Sequence, residues 1–239
     1  MLPISDVNPT RRFPILTYAL IAINVLVFLW ELTLSEQQLQ QTFLNFSVVP
    51  ANVSANVFSL ETFLDTVRSM FFHGGWDHIL GNMLYLYLFG DNVEDRLGKI
   101  GFLILYFVSG FVAAFAQILI EPTSQIPLIG ASGAIAGVLG GYLLLYPNVK
   151  VRGIVPLGRI STLAEWPAFI VLGMWFVLQL ISGFGSLGAS AEYGGGVAFF
   201  AHIGGFVAGL VITFLITRLV PQPPVEQRVN MLYQRARRS

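Results

Sequence analysis

Residues 193 to 217 read YGGGVAFFAHIGGFVAGLVITFLIT, twenty-five in a row without Asp, Glu, Lys or Arg. Coiled at about 1.5 Å per residue, such a run exceeds the roughly 30 Å hydrocarbon core of a bilayer. Four more charge-free stretches, residues 13–30, 100–120, 122–149 and 166–191, have 18, 21, 28 and 26 residues. A sixth, residues 78–90, has only 13. It covers about 20 Å and spans only if its polar flanks are sheltered inside a bundle. The composition agrees: of 239 residues 11% are charged and 55% hydrophobic, with a mean hydropathy of +0.71. A soluble domain carries about 25% charged residues. The chain is therefore predicted to be an all-α, polytopic membrane protein of six helices. Thirteen basic residues balance thirteen acidic ones, which excludes a nucleic-acid binder on composition. With no cysteine there is no disulfide, no thiolate nucleophile and no Cys-based zinc site.

Basic loops stay on the cytoplasmic side of a membrane. With the N-terminus inside, six spans place Arg11, Arg12, Arg96, Lys99, Lys150, Arg152, Arg159, Arg218, Arg228, Arg235, Arg237 and Arg238 on the inner side and only Arg68 outside. Omitting the short span scatters these charges over both faces. The expected layout is one domain over residues 1–239. A cytoplasmic N-terminus (1–12) precedes a six-helix core (13–220) with an outer loop over about 34–77, and a basic cytoplasmic tail (221–239) follows. Helix one, about 13–32, is too long for a signal-peptide core and is expected to be retained. Helix two starts near His78 and ends at Gly98, a suitable C-cap. Helix three covers 101–120, and helix four runs from about 130 to just before Pro147. Helix five opens at Trp166-Pro167, and helix six follows Gly194-Gly195-Gly196. The outer loop is expected to fold against the bundle or to dip into the membrane interface, and Asp91, Glu94, Asp95 and Arg96 to form an ion network at the inner surface.

Polar groups inside hydrocarbon are costly unless paired, so each is a functional candidate. Asn82 follows His78 by four residues, on the same face one turn on. Ser132 opens helix four within Gly130-Ala131-Ser132-Gly133, and His202 lies near the start of helix six. Helices two, four and six all run from outside to inside, so these four residues share one depth. Gly133, Gly137 and Gly141 form a stripe on helix four, as do Gly205 and Gly209 on helix six, and such stripes let backbones approach closely. A serine among glycines, or a lone buried histidine, is ordinary helix packing. Four such residues converging at one depth point instead to nucleophilic catalysis. A serine hydroxyl needs a neutral imidazole to take its proton, the roles of Ser132 and His202. No carboxylate lies near His202 within the span, so a dyad is expected. Asn82, His78 and the N–H of Ser132 are the oxyanion donors. His73 is expected to tie down the outer loop, Asp77 and Glu192 to be solvated flanks, and Trp166 and Trp175 to be interface or packing aromatics on helix five, itself a candidate part of a substrate gate.

At these residues the sequence resembles the rhomboid family of intramembrane serine proteases. The match consists of His73-Gly74-Gly75-Trp76-Asp77-His78-Ile79-Leu80-Gly81-Asn82, then Gly130-Ala131-Ser132-Gly133, then Ala201-His202-Ile203-Gly204-Gly205 with Gly209. The resemblance implies a six-helix bundle that hydrolyses peptide bonds in or next to transmembrane segments of membrane-protein substrates, with no metal or other cofactor. It implies Ser132 as nucleophile, His202 as general base, and Asn82 with His78 as oxyanion stabilisers. The chain departs at Leu64-Asp65, where the family often has Trp-Arg, and at Ala136, where some members carry a tyrosine that stacks on the histidine. The expected setting is a bacterial plasma membrane, with both termini cytoplasmic and the site open to the outer side. Substrates are expected to carry small or helix-breaking residues near the cleaved bond. Rival readings are an inactive relative that binds transmembrane helices, a transporter or channel, and a three-histidine metalloprotease. The last lacks a His-Glu-x-x-His pair.

Overall fold

The computed structural model describes residues 1–53, 55–157, 160–186 and 198–220. The glycine triplet at 194–196, Glu192, Arg159 and the tail arginines Arg228, Arg235, Arg237 and Arg238 lie outside the described residues. In chain order the elements are β1 (Leu2–Asp6), α1 (Ile15–Glu31), α2 (Glu36–Phe46), α3 (Pro50–Val53), α4 (Leu60–Ser69) and α5 (Trp76–Ile120). They continue as α6 (Ser132–Leu145), β2 (Lys150–Leu157), β3 (Ile160–Pro167), α7 (Ala168–Ser186) and α8 (Phe199–Leu219). Three helices, α5, α7 and α8, are long and apolar enough to cross a membrane, and α1 and α6 are shorter apolar helices.

Helix α5 is two helices joined at Gly98, whose φ of 72° and ψ of 171° interrupt the coil. That region of backbone space is essentially open to glycine alone. The chain reverses there: Asn82 on the first arm (76–97) and Gln117 on the second (99–120) line the same cavity, far from the bend. The first arm is longer than its charge-free stretch. At about 1.5 Å per residue its 22 residues reach roughly 33 Å, a full hydrocarbon thickness.

Three of the charges that lengthen this arm, Glu94, Asp95 and Arg96, are held by partners elsewhere in the fold. Pro14 gives α1 no side-chain cap. The buried Glu94 carboxylate supplies one from across the bundle, accepting from the N–H groups of Leu16 (3.0 Å) and Thr17 (2.8 Å) and from the Thr17 hydroxyl (2.9 Å). These are the donors a helix start leaves unpaired, at the positive end of its dipole. Asp95 pairs with Arg11 at 2.8 Å, and Arg96 donates to the Val220 carbonyl at the end of α8.

A small antiparallel sheet, ordered β1-β2-β3, corrects the all-α expectation. It also moves the start of helix five. Trp166 and Pro167 close β3, paired with Val151 and Lys150, and the helix begins at Ala168. Proline is tolerated there because a strand end needs no ladder donor. Arg152 meets Glu165 across the strands at 2.6 Å. Asp6, ending β1, accepts from the Tyr142 hydroxyl (2.6 Å) and from Asn92 Nδ2 (3.1 Å), which ties the sheet to α6 and to the first arm of α5.

The outer segment folds against the opposite end. Ser35 and Gln38 form a reciprocal capping box at the start of α2, and Ser59 caps α4. Val48 bridges to Leu128, Ser124 O accepts from the Ala51 N–H, and Ser69 O accepts from the Gly130 N–H at 2.8 Å. Asp65, at the departure from the Trp-Arg pattern, is buried and pairs with Arg68 at 2.8 Å.

Candidate active site

Helix α6 has only 14 residues, about 21 Å, and is buried all round from Gly133 to Tyr142. Protein rather than lipid surrounds it, so it need not match the bilayer, and its N-terminus sits inside the bundle. Non-helical backbone is tolerated in a helical bundle where it lines a cavity. Residues 121–129, which lead into α6, do so here.

Backbone proximity between α6 and α8 is set by missing side chains. A Cβ on Gly205 would strike the carbonyl oxygen of Gly133, one on Gly209 that of Gly137, and one on Gly140 that of Phe206. Gly137 itself is pressed against Ser109, and Gly141 lies against Thr213. At this crossing the two helices present Ser132, the residue before Gly133, and His202, one turn before Gly205. His202 Nε2 lies 2.8 Å from Ser132 Oγ, a hydrogen bond.

Gly130 joins the third motif to the other two. Its φ of 115° disfavours any side chain, and a Cβ would lie 2.5 Å from His78 Nε2 and 3.6 Å from Asn82 Nδ2. His78 Nδ1 accepts from the Gly74 N–H at 3.4 Å, which leaves the ring proton on the Nε2 that faces Gly130. Asn82 is buried, and its Nδ2 lies 3.0 Å from His73 Nε2. His73 holds both ends of this corner. Its backbone N–H donates to the Glu31 carboxylate at the end of α1, its Nδ1 donates to the Phe71 carbonyl (3.3 Å), and its ring packs edge-on against His78. The Ser132 N–H opens α6, where first-turn donors have no intrahelical acceptor.

Ser132, His202, His78 and Asn82 all line one cavity of about 1090 Å³. Asp77 stands exposed at its rim. Ala136 also lines it, and no aromatic ring stands at that position to stack on His202. A ring comes instead from α7: Trp175 lies 5.9 Å from the imidazole, tilted by 37°.

Two glutamines that the motif spacing does not single out complete the surroundings. Gln179 Oε1, on α7, lies 2.7 Å from His202 Nδ1. The buried Gln117 accepts from the Ala201 N–H in the first turn of α8 (3.1 Å) and donates to Glu121. The available signal was a carboxamide standing alone in an apolar helix, a costly placement without a partner.

A serine hydroxyl hydrogen-bonded to an imidazole, beside side-chain and helix-start donors, is the arrangement that a serine nucleophile and its base require. The rhomboid domain model matches residues 60–219, and the chain belongs to the rhomboid family of intramembrane proteases. It is 29% identical over 214 residues to Rhomboid protein 1, mitochondrial, of Saccharomyces cerevisiae, covering 86% of this chain and 54% of that protein. To Rhomboid-like protein 11, chloroplastic, of Arabidopsis thaliana it is 27% identical over 170 residues (69% and 56%). To Rhomboid protease AarA of Providencia stuartii it is 26% identical over 216 residues (83% and 71%). The chain thus spans little more than half the length of the first two relatives.

Proposed function

We propose that this chain is an intramembrane serine endopeptidase that cleaves transmembrane segments of membrane-protein substrates with Ser132 and His202. The observation that carries this reading is the 2.8 Å bond from Ser132 Oγ to His202 Nε2, inside a cavity that also holds His78 and Asn82. As the Oγ attacks the scissile carbonyl carbon, its proton passes to Nε2. The carbonyl oxygen becomes an oxyanion and is met by Asn82 Nδ2–H, His78 Nε2–H and the Ser132 backbone N–H. On collapse, His202 gives the proton to the leaving amine, and an acyl-serine ester remains. Water entering through the cavity loses a proton to Nε2 and attacks the ester carbon; on collapse the serine oxygen leaves, takes that proton back from His202, and the free acid departs. The sequence needs no metal or other cofactor.

In the proposed arrangement the two arms of α5 count as separate spans, so α1, both arms, α6, α7 and α8 make six, within one domain over residues 1–239. Gly98 and the sheet then lie on the cytoplasmic side with both termini, and the cavity opens outward. A bacterial plasma membrane is the proposed location, although two of the relatives bear mitochondrial and chloroplastic names. Hydrolysis inside a bilayer also requires the substrate helix to unwind locally, because a coiled amide is not accessible. Small or helix-breaking residues near the scissile bond serve that need.

The test is reaction of the purified protein with a fluorophosphonate, followed by mapping of the adduct. Modification of Ser132, together with cleavage of a reconstituted transmembrane substrate that Ser132→Ala abolishes, is the expected result. An active protein with no adduct on Ser132 refutes the dyad. A protein that binds transmembrane segments without cleaving them is an inactive relative.

A further inference from the structure

We propose that Gln179 is the positioning residue of the Ser132–His202 pair: its carboxamide oxygen accepts the Nδ1–H of His202 and so holds the imidazole with Nε2 free to take the serine proton. This rests on the dyad reading above and adds a third member to it, a neutral one supplied by a different helix.

The geometry is a continuous line from Gln179 Oε1 through the imidazole to Ser132 Oγ, with contacts of 2.7 Å and 2.8 Å. A neutral imidazole carries one proton, and the group bonded to one nitrogen decides what the other nitrogen can do. If the carboxamide were reversed, its N–H₂ would donate to Nδ1. The ring proton would then sit on Nε2 and point at the serine, and the hydroxyl would have no base. Only the oxygen-to-ring orientation yields a competent nucleophile.

The helix around Gln179 is built to aim it. Leu172, Trp175, Phe176, Gln179 and Gly183 recur at intervals of three and four residues, which puts them on one face. That face docks on α8: Phe176 stacks on Phe206 at 4.5 Å, Trp175 packs against both Phe206 and His202, and a Cβ at Gly183 would press on Phe199. Gln179 sits between the aromatic pair and the glycine. The opposite face, with Met174, Val177, Leu178, Ile181 and Phe184, is exposed and apolar. Among the described residues His202 is the hydrogen-bond partner of Gln179, in a helix otherwise suited to hydrocarbon. An amide does here what a carboxylate does in a triad. It orients the ring without adding a charge that the membrane interior would penalise.

The test uses the full chain in detergent and the second-order rate of fluorophosphonate labelling of Ser132, measured against pH. Gln179→Leu keeps the volume and removes the acceptor. Its labelling is expected to slow by about 100-fold, the scale of loss for a misaligned catalytic group, with an unchanged thermal unfolding midpoint. Gln179→Glu restores the acceptor. Its maximal rate is expected within a few-fold of wild type, but with the rising limb of the pH profile moved to higher pH, because a carboxylate favours the imidazolium. The other titratable groups lining the cavity, His78, Asp77, Tyr85 and Glu121, are the same in both variants. A Leu variant that labels at the wild-type rate, or a Glu variant as slow as the Leu one, overturns the positioning role while leaving the dyad intact. Wild-type protein that does not label overturns the dyad and this inference with it.

Discussion

At the scale of single residues, the site depends on where a few protons sit. His73 donates from Nδ1 to Phe71 and meets Asn82 through Nε2, so the Asn82 amide is oriented with one N–H engaged and the other free for the proposed oxyanion. Asn82→Ala is accordingly expected to lower kcat by about 10² to 10³. KM should change little, since the interaction is made in the transition state, and steady-state cleavage of a reconstituted substrate measures both. His78 and Asn82 stand out in the sequence because such residues are rare in apolar helices and these two lie one turn apart, whereas His73, expected only to tie down the outer loop, meets Asn82 through packing that no spacing encodes. Gln179 and Gln117 do not stand out, since a single glutamine has no period and its partner is chosen by helix packing that no local pattern encodes.

At the scale of elements, α6 and α8 act as one unit because their glycines leave carbonyl oxygens against opposing backbone. Gly209→Val puts branched carbons where the Gly137 carbonyl stands. Overpacking of this kind costs about 1–3 kcal/mol, and it tilts the segment that carries His202, two turns away. The expected outcome is a lower unfolding midpoint by circular dichroism and fluorophosphonate labelling slowed more than the loss of folded protein explains. The glycine stripes themselves were visible in the sequence. The strands were not: residues 150–167 mix charge, proline and short β-branched runs, and such a pattern reads equally as a loop. They pair with each other along their full length as a hairpin, and β1, a partner about 150 residues away in the chain, adds the third strand. Helix two, expected from near His78 to Gly98, stands as the first arm of α5 although only 13 of its residues form a charge-free stretch. Its last charged turns look like an exit from the membrane until α1 places its own unpaired donors against Glu94.

At the scale of the whole molecule, the sheet is fastened to the bundle through Asp6. Burial holds this carboxyl above the ordinary carboxylate range despite the Tyr142 bond. The folded state therefore favours the protonated acid. Its contribution is complete below the unfolded value of about 4 and is lost as pH rises through the higher folded value. Stability of the folded chain is expected to fall over that interval, and Asp6→Asn should flatten the slope. Thermal unfolding midpoints across the acid range, read for both proteins, check this. A wild-type slope that Asp6→Asn leaves unchanged would assign the effect to other carboxyls.

If the chain is the protease proposed above, the abbreviated α6 sets a rule for what it can process. Its reactive end is recessed, so a passing segment must bring a loosened stretch of chain down to it, and a rigid rod slides by untouched. Selection then acts on how readily a client comes apart at the right height more than on the letters it carries. Two clients with unrelated spelling but equally frayed spans should be consumed alike, and a firm one with a perfect match should survive.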